Sequence, residues 1–288
     1  MRYDENYKVN KGWGIKAQRT VAYIVLVLVC FLCLFWFAIL FVNSTRAHGE
    51  LTKGFTLIPS SHAVDNFLNM LHGTQPIVQG LLNSFFVAGV SALVSTYFSA
   101  MTAYAIHVYD FKIKKFMFTF ILMVMTIPTQ VTALGFINLV RGMDLENSFI
   151  PLIVPTIAAP VTFFYMKQYM ESALPLSLVE AARIDGSGEF RTFNSIVLPL
   201  MKPAIAVQAI FTFVTSWNNY FTPALVLHDD KKKTLPILIA ELRSADWLKF
   251  DMGKVYMTIT FSILPVIVVY LILSKHIVQG VAMGSVKG

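Results

Sequence analysis

Charge is what this sequence has least of. Only 14% of its 288 residues are Asp, Glu, Lys or Arg, while 56% are apolar and the mean hydropathy is +0.64. Soluble domains are roughly one-quarter charged, so a water-soluble globular protein is excluded. Six stretches, 20–42, 77–106, 116–140, 148–166, 204–227 and 255–274, contain no Asp, Glu, Lys, Arg or His. Each approaches or exceeds the roughly 20 apolar residues that cross the hydrocarbon core of a membrane. His107, Arg141 and Lys167 fall only at their ends. Ionisable groups inside a membrane mark proton relays and ion sites. Without them, an ion-coupled transporter or channel is the weaker reading. An intramembrane enzyme is also disfavoured, because no Ser-His, Asp-Asp or His-x-x-x-His arrangement lies within a stretch.

Cysteine is nearly missing too. Cys30 and Cys33 have C-x-x-C spacing, but both sit in the middle of the first stretch, far from any third ligand. They read as packing or lipid-facing residues. The six His are scattered, so no metal centre is expected, and nothing asks for a cofactor. The first stretch is longer than the apolar part of a secretion signal and no small-residue cleavage site follows it, so it reads as a retained helix.

These features predict an all-α polytopic membrane protein with six transmembrane helices. The expected organisation is an N-terminal cytoplasmic segment, 1–19, a six-helix transmembrane domain, 20–274, and a C-terminal cytoplasmic tail, 275–288. Placing both termini in the cytoplasm puts fourteen of the twenty-three Lys and Arg on that side, as bases near short loops require. The cluster Lys231, Lys232, Lys233, Arg243, Lys249 and Lys254 argues the other way. The basic balance reflects topology, so no nucleic-acid partner is implied.

The second stretch carries Ser91, Ser95, Ser99 and Ala103 four apart, beside Ala88, Ala92, Thr96 and Ala100. Small faces of this kind let helices pack closely in lipid, and lining a pore is the alternative use. Pro128, Pro155, Pro160, Pro223 and Pro265 interrupt four stretches. Candidate contacts for a solute are Gln130 and Asn138 in the third, and Trp217, Asn218, Asn219 and Tyr220 in the fifth. Amides and hydroxyls beside aromatic rings suit a neutral polyhydroxylated ligand, although an interfacial aromatic belt would look similar.

The loop 171–203 is the most legible segment. Ser177 and Glu180 have capping-box spacing, and Gly186 offers a left-handed stop, which predicts a short helix between them. Leu174, Leu178, Ala181 and Ala182 recur on one face small enough to enter a groove. A second helix is expected from Ser187 toward Val197, with Phe190, Phe193, Ile196 and Val197 on one side. A self-contained elbow would satisfy the same physics.

Glu180-Ala181-Ala182, then Gly186, Ile196 and Leu198-Pro199 match the EAA loop of ABC importer permeases in identity and spacing. The chain further resembles carbohydrate-type permeases in Asn83-Ser84, Ala103-Tyr104-Ala105, Ile184-Asp185-Gly186 and Trp217-Asn218. Val278-Gln279-Gly280, Gly284 and Val286-Lys287-Gly288 resemble the tail of the smaller permease partner in maltose-type importers. Ser187 and Met283 depart from the commoner Ala. The resemblance implies a non-catalytic subunit of a bacterial cytoplasmic-membrane importer for a sugar or oligosaccharide. Glycerol phosphodiesters and peptides are the alternative solutes. It implies three kinds of protein partner within the lipid bilayer's reach: a cytosolic ABC ATPase dimer, a second homologous permease and an extracytoplasmic solute-binding protein. Glu180, Ala181, Ala182, Asp185, Gly186, Ile196, Leu198 and Pro199 would meet the ATPase, with Gly280, Gly284, Lys287 and Gly288 as tail contacts. ATP hydrolysis would be the partner's, since Gly253-Lys254 lacks the Gly that a phosphate-binding loop needs at Leu248.

Overall fold

The computed structural model describes residues 13–244 and 250–284, with side chains over 14–244 and 250–274. The described residues are helical throughout, without strands. In chain order the helices are α1 (Trp13–Ser44), α2 (His48–Leu51), α3 (Ala63–Leu71), α4 (Ile77–Val108), α5 (Lys114–Val124), α6 (Thr129–Gly142), α7 (Ile150–Ile153) and α8 (Pro160–Ala173). They continue as α9 (Leu176–Ile184), α10 (Glu189–Thr192), α11 (Leu198–Leu200), α12 (Lys202–Trp217), α13 (Phe221–Val226), α14 (Leu235–Arg243) and α15 (Met252–Gly284).

Gly14–Ser44, Ile77–Val108, Ile150–Ala173 and Met252–Ser274 are long and apolar enough to cross a membrane. Two bent pairs, Lys114–Val124 with Thr129–Gly142 and Glu189–Leu200 with Lys202–Trp217, turn by 98° and 80°. The third expected span, 116–140, is therefore broken. Met125, Thr126 and Ile127 bond three residues back, and Pro128, at φ −64° and ψ 134°, restarts the chain. Pro128 has no N–H and bars Ile127 from the helical region. The fifth expected span, 204–227, likewise ends as a helix at Trp217, where Asn218 Nδ2 donates to the Val214 carbonyl at 2.9 Å, before α13 resumes at Phe221. In the fourth, Pro151, Pro155 and Pro160 each stand in the first turn of a separate piece: α7, the 3₁₀ turn Val154–Ile157 and α8. Proline fits such a start without cost. Pro265 is the exception: it lies inside the continuous α15, so the interruption expected in the sixth stretch does not occur.

The chain divides into two compact units, the first ending at Asn69 but including Asp251–Thr260, the second formed by the remainder. In the first, α1 buries none of its apolar length, as a helix solvated by lipid does. Past its end lies a polar knot. The Arg46 guanidinium donates to the Glu50 and Gly54 carbonyls, and Asn66 Nδ2 donates to the Ser44 and Arg46 carbonyls at 2.8 and 2.9 Å. Gly253 fits beside it because a Cβ there would sit 2.7 Å from the Arg46 carbonyl oxygen. In the second unit α4 is the mast. Both small-residue stripes are buried, from Ala88 to Ala103, and α8 and α12 pack on them. At its other end Asn83 Nδ2 donates to the Lys231 and Lys233 carbonyls, and Ser84 Oγ accepts from Leu235 N–H, tying down the loop before α14.

Candidate functional site

The loop between α8 and α12 folds as a helix, a tight turn and a second, irregular helix. The helix α9 begins after Pro175, and no side chain caps it. The expected capping box does not form, because Pro175 sets the start two residues earlier and carries Ser177 into the first turn. Glu180 is thereby released from a local task, and it stands exposed with no hydrogen bond among the described residues. The stop is as expected. Gly186 has φ 76°, Gly186 N–H donates to Arg183 O at 3.0 Å, and Ser187 N–H to Ala182 O at 2.9 Å, which completes a Schellman motif.

The expected apolar face of α9 splits. Leu174 and Val179 are buried in the core that Tyr104, Met166, Met170, Phe193 and Val197 share, and Ala182 is buried as well, whereas Leu178, Ala181 and Ile184 face outward with Glu180. Ile184 is 86% exposed. On the second helix Phe193 and Val197 are buried, Ile196 and Leu198 half-buried, and Phe190 is 72% exposed. This stripe is divided by a π turn over Phe193–Val197, closed by Leu198 N–H to Phe193 O. The wider turn accommodates Pro199, which lacks an N–H and would crowd the carbonyl four residues back. Pro199 and Asp185 are exposed.

A polar cluster binds the two helices to the end of α4. Arg183 Nε donates to Glu189 Oε1 at 2.7 Å, and Tyr104 OH donates to Glu189 Oε2 at 2.9 Å. Tyr109 stands beside the same cluster, the Arg183 guanidinium lying 5.5 Å from its ring centre. Arg183 first, then Tyr109, holds the Glu189 carboxyl down at about 2, and Glu189 in turn raises Arg183. Sequence reading missed Glu189. Its one signal was an opposite charge six residues from Arg183 across Gly186.

The residues expected along a solute path part company. Trp217 is only 4% exposed and stacks on Phe213 at 5.6 Å, inside the α4–α12 packing. Asn218 caps α12. Gln130 and Asn138 are exposed on α6 and line neither cleft, although Gln130 Oε1 lies 3.5 Å from the Thr129 hydroxyl at the rim of one. Tyr220 lines a cleft of about 400 Å³ with His228, Lys233 and Glu241, where Asp230 first and then Glu241 raise Lys233. Asn219 lines a separate cleft of about 350 Å³ with Thr129, Thr132, Phe136, Thr156, Phe221 and Thr222. Gly280 and Gly284 lie on the last turns of α15, while Lys287 and Gly288 are outside the described residues. No metal-holding cluster occurs among the described residues.

Broken apolar helices around a small-residue mast, with polar clefts at the breaks, define a polytopic transport protein. The profile of the family described as the binding-protein-dependent transport system inner membrane component matches residues 95–283, and the chain belongs to that family. It is 34% identical to the arabinooligosaccharides transport system permease protein AraQ of Halalkalibacterium halodurans, over 90% of this chain and 93% of that one. It is 29% identical to the sn-glycerol-3-phosphate transport system permease protein UgpE of Yersinia pseudotuberculosis, over 90% and 94%. Its fold is similar to the crystal structure of a bacterial ABC transporter involved in the import of the acidic polysaccharide alginate, with a TM-score of 0.79 at 21% identity, covering 92% of this chain and 98% of that one. This chain is thus a membrane permease component of an ATP-dependent importer.

Proposed function

We propose that the chain forms half of the translocation pathway of a sugar or oligosaccharide importer, with a second permease as the other half and a solute-binding protein delivering from outside. Its termini and loop 171–203 face the cytoplasm of a bacterial cell, the region 20–274 is the membrane domain, and the tail from 275 reaches toward the ATPase dimer. The observation that carries this reading is the outward face of α9. Glu180, Leu178, Ala181 and Ile184 are free of contacts that would hide them, while Val179 and Ala182 clamp the helix from behind. A cleft on a cytosolic ATPase can accept such a face. Movement of that cleft would pass through Arg183 and Glu189 to Tyr104 on α4, and through the π turn to α12. Coupling is then mechanical, and no step of the ATP chemistry uses this chain.

The test is ATP hydrolysis by the assembled complex. Glu180→Arg and Ala181→Leu should each abolish stimulation by the loaded binding protein, with the complex still inserted and assembled, because neither side chain contributes to the buried core. Unchanged stimulation in both would sink the proposal.

A further inference from the structure

We propose that this chain carries a sugar-contacting subsite of its own, the cleft ringed by Thr132, Phe136, Thr156, Asn219, Phe221 and Thr222, selective for a neutral polyhydroxylated solute over an anionic one. The inference rests on the importer reading and deepens it.

Three separate breaks in helical backbone converge there. Thr132 follows the bend at Pro128, Thr156 lies in the 3₁₀ turn Val154–Ile157, and Asn219 sits in the gap between α12 and α13. Irregular backbone at membrane depth is tolerated where it is buried in protein or lines a wet cavity. One break next to a cavity is unremarkable in a chain with this many prolines, but three facing one cavity are not accounted for by packing.

The polar groups at the cleft are arranged as complementary halves. Thr132 Oγ1 donates to the Thr129 carbonyl at 3.0 Å and Thr156 Oγ1 to the Ile153 carbonyl at 2.6 Å, so their hydroxyl oxygens are left as acceptors. Asn219 Oδ1 accepts from Thr222 N–H at 3.3 Å, which leaves its amide hydrogens as donors. A sugar hydroxyl both donates and accepts, and can bridge such a pair. Phe136 and Phe221 add apolar rings for the C–H face of a pyranose or furanose. No Lys, Arg, His, Asp or Glu lines the cleft. A phosphate or carboxylate taken from water would lose its hydration there with only the amino-terminal dipole of α6 in return. The volume of about 350 Å³ is at the lower end of small-molecule sites, room for one sugar unit of a longer chain.

The experiment uses proteoliposomes holding the complete importer and its binding protein, with radiolabelled neutral trisaccharides and glycerol 3-phosphate as probes. The expected result is ATP-driven uptake of a neutral saccharide and not of the phosphate. Thr132→Val and Asn219→Leu should each lower its initial uptake about tenfold, the loss of roughly one hydrogen bond to a hydroxyl. Stimulated ATP hydrolysis should persist in both. Thr132→Ser should restore uptake, which a folding defect would not allow, and Thr102→Val, whose hydroxyl bonds its own helix at Phe98, should leave it unchanged. Wild-type uptake by both cleft variants, or uptake of glycerol 3-phosphate alone, would overturn the subsite. Failure to take up any probe would instead overturn the importer reading on which it rests.

Discussion

Ala181 and Ala182 are neighbours in sequence and opposites in the fold, one exposed and the other 5% exposed against the core. A larger side chain at Ala182 meets close-packed atoms, a change that costs about 1–3 kcal/mol, so its effects would mix folding with docking. Glu180 has the reverse character, since the capping box that its spacing promised does not form and Pro175 takes the N-cap position without a side-chain bond. The residue whose local chemistry matters is Glu189. Its carboxylate ordinarily titrates at 4.5 and is held at about 2, so the folded state gains from the ionised form above the unfolded value. That contribution should be complete above pH 4.5 and disappear as pH falls toward 2. Because the side chain is 44% exposed, solvent screening limits it to about 1 kcal/mol. Hydrogen exchange over 183–192 in the detergent-solubilised chain should show constant protection from pH 7 to about 4.5, then a decline. Glu189→Gln should already show at pH 7 the lower protection that the wild type reaches only in acid, and no further decline. Equal pH profiles for the two proteins would refute this account. The sequence could supply the motif but not this carboxylate's partner, because Tyr104 is 85 residues away and only folding brings it near.

At the scale of elements, apolar length found the four helices able to cross a membrane and, as two further stretches, parts of the two bent pairs, while small-residue spacing found both buried stripes of α4. Hydropathy did not place the breaks. An apolar window of 25 residues looks continuous whether or not Pro128 turns the chain by 98° within it, since the average ignores hydrogen-bond geometry. The solute residues suffered most from this. Trp217 and Asn219 are two apart and belong respectively to a helix interior and a gap, so one reaches a cleft and the other does not. Glycine shows the same dependence on geometry. Gly253 drew notice for a nucleotide motif that it does not complete, and its role is close approach to the knot around Arg46. Gly253→Ala would place a methyl group 2.7 Å from the Arg46 carbonyl and from Asn66 Oδ1. Backbone cannot give way as a side-chain tip can, so the variant should lose about 1–3 kcal/mol. A thermal-unfolding midpoint equal to wild type would show that the contact relaxes freely.

For the molecule as a whole, the central question is which surface meets lipid. The helix α1 is the clearest case. Its span of 31 residues extends about 46 Å at the usual rise, more than the roughly 30 Å of hydrocarbon it must cross, and none of its apolar window is buried. Cys30 and Cys33 stand within about 6 Å of its midpoint by the same rise. Both are exposed on the protein surface. Exposure without burial in protein means contact with lipid if the helix spans, and contact with water if it does not. A sulfonated maleimide cannot leave water, so in intact membranes it should label neither cysteine, whereas detergent denaturation should make both react. Rapid labelling in sealed vesicles or in inverted ones would place the middle of α1 in water and remove it from the set of spans. Labelling only after denaturation would fix its depth independently of the charges at its ends, where the bias of Lys and Arg gives direction and says nothing of depth.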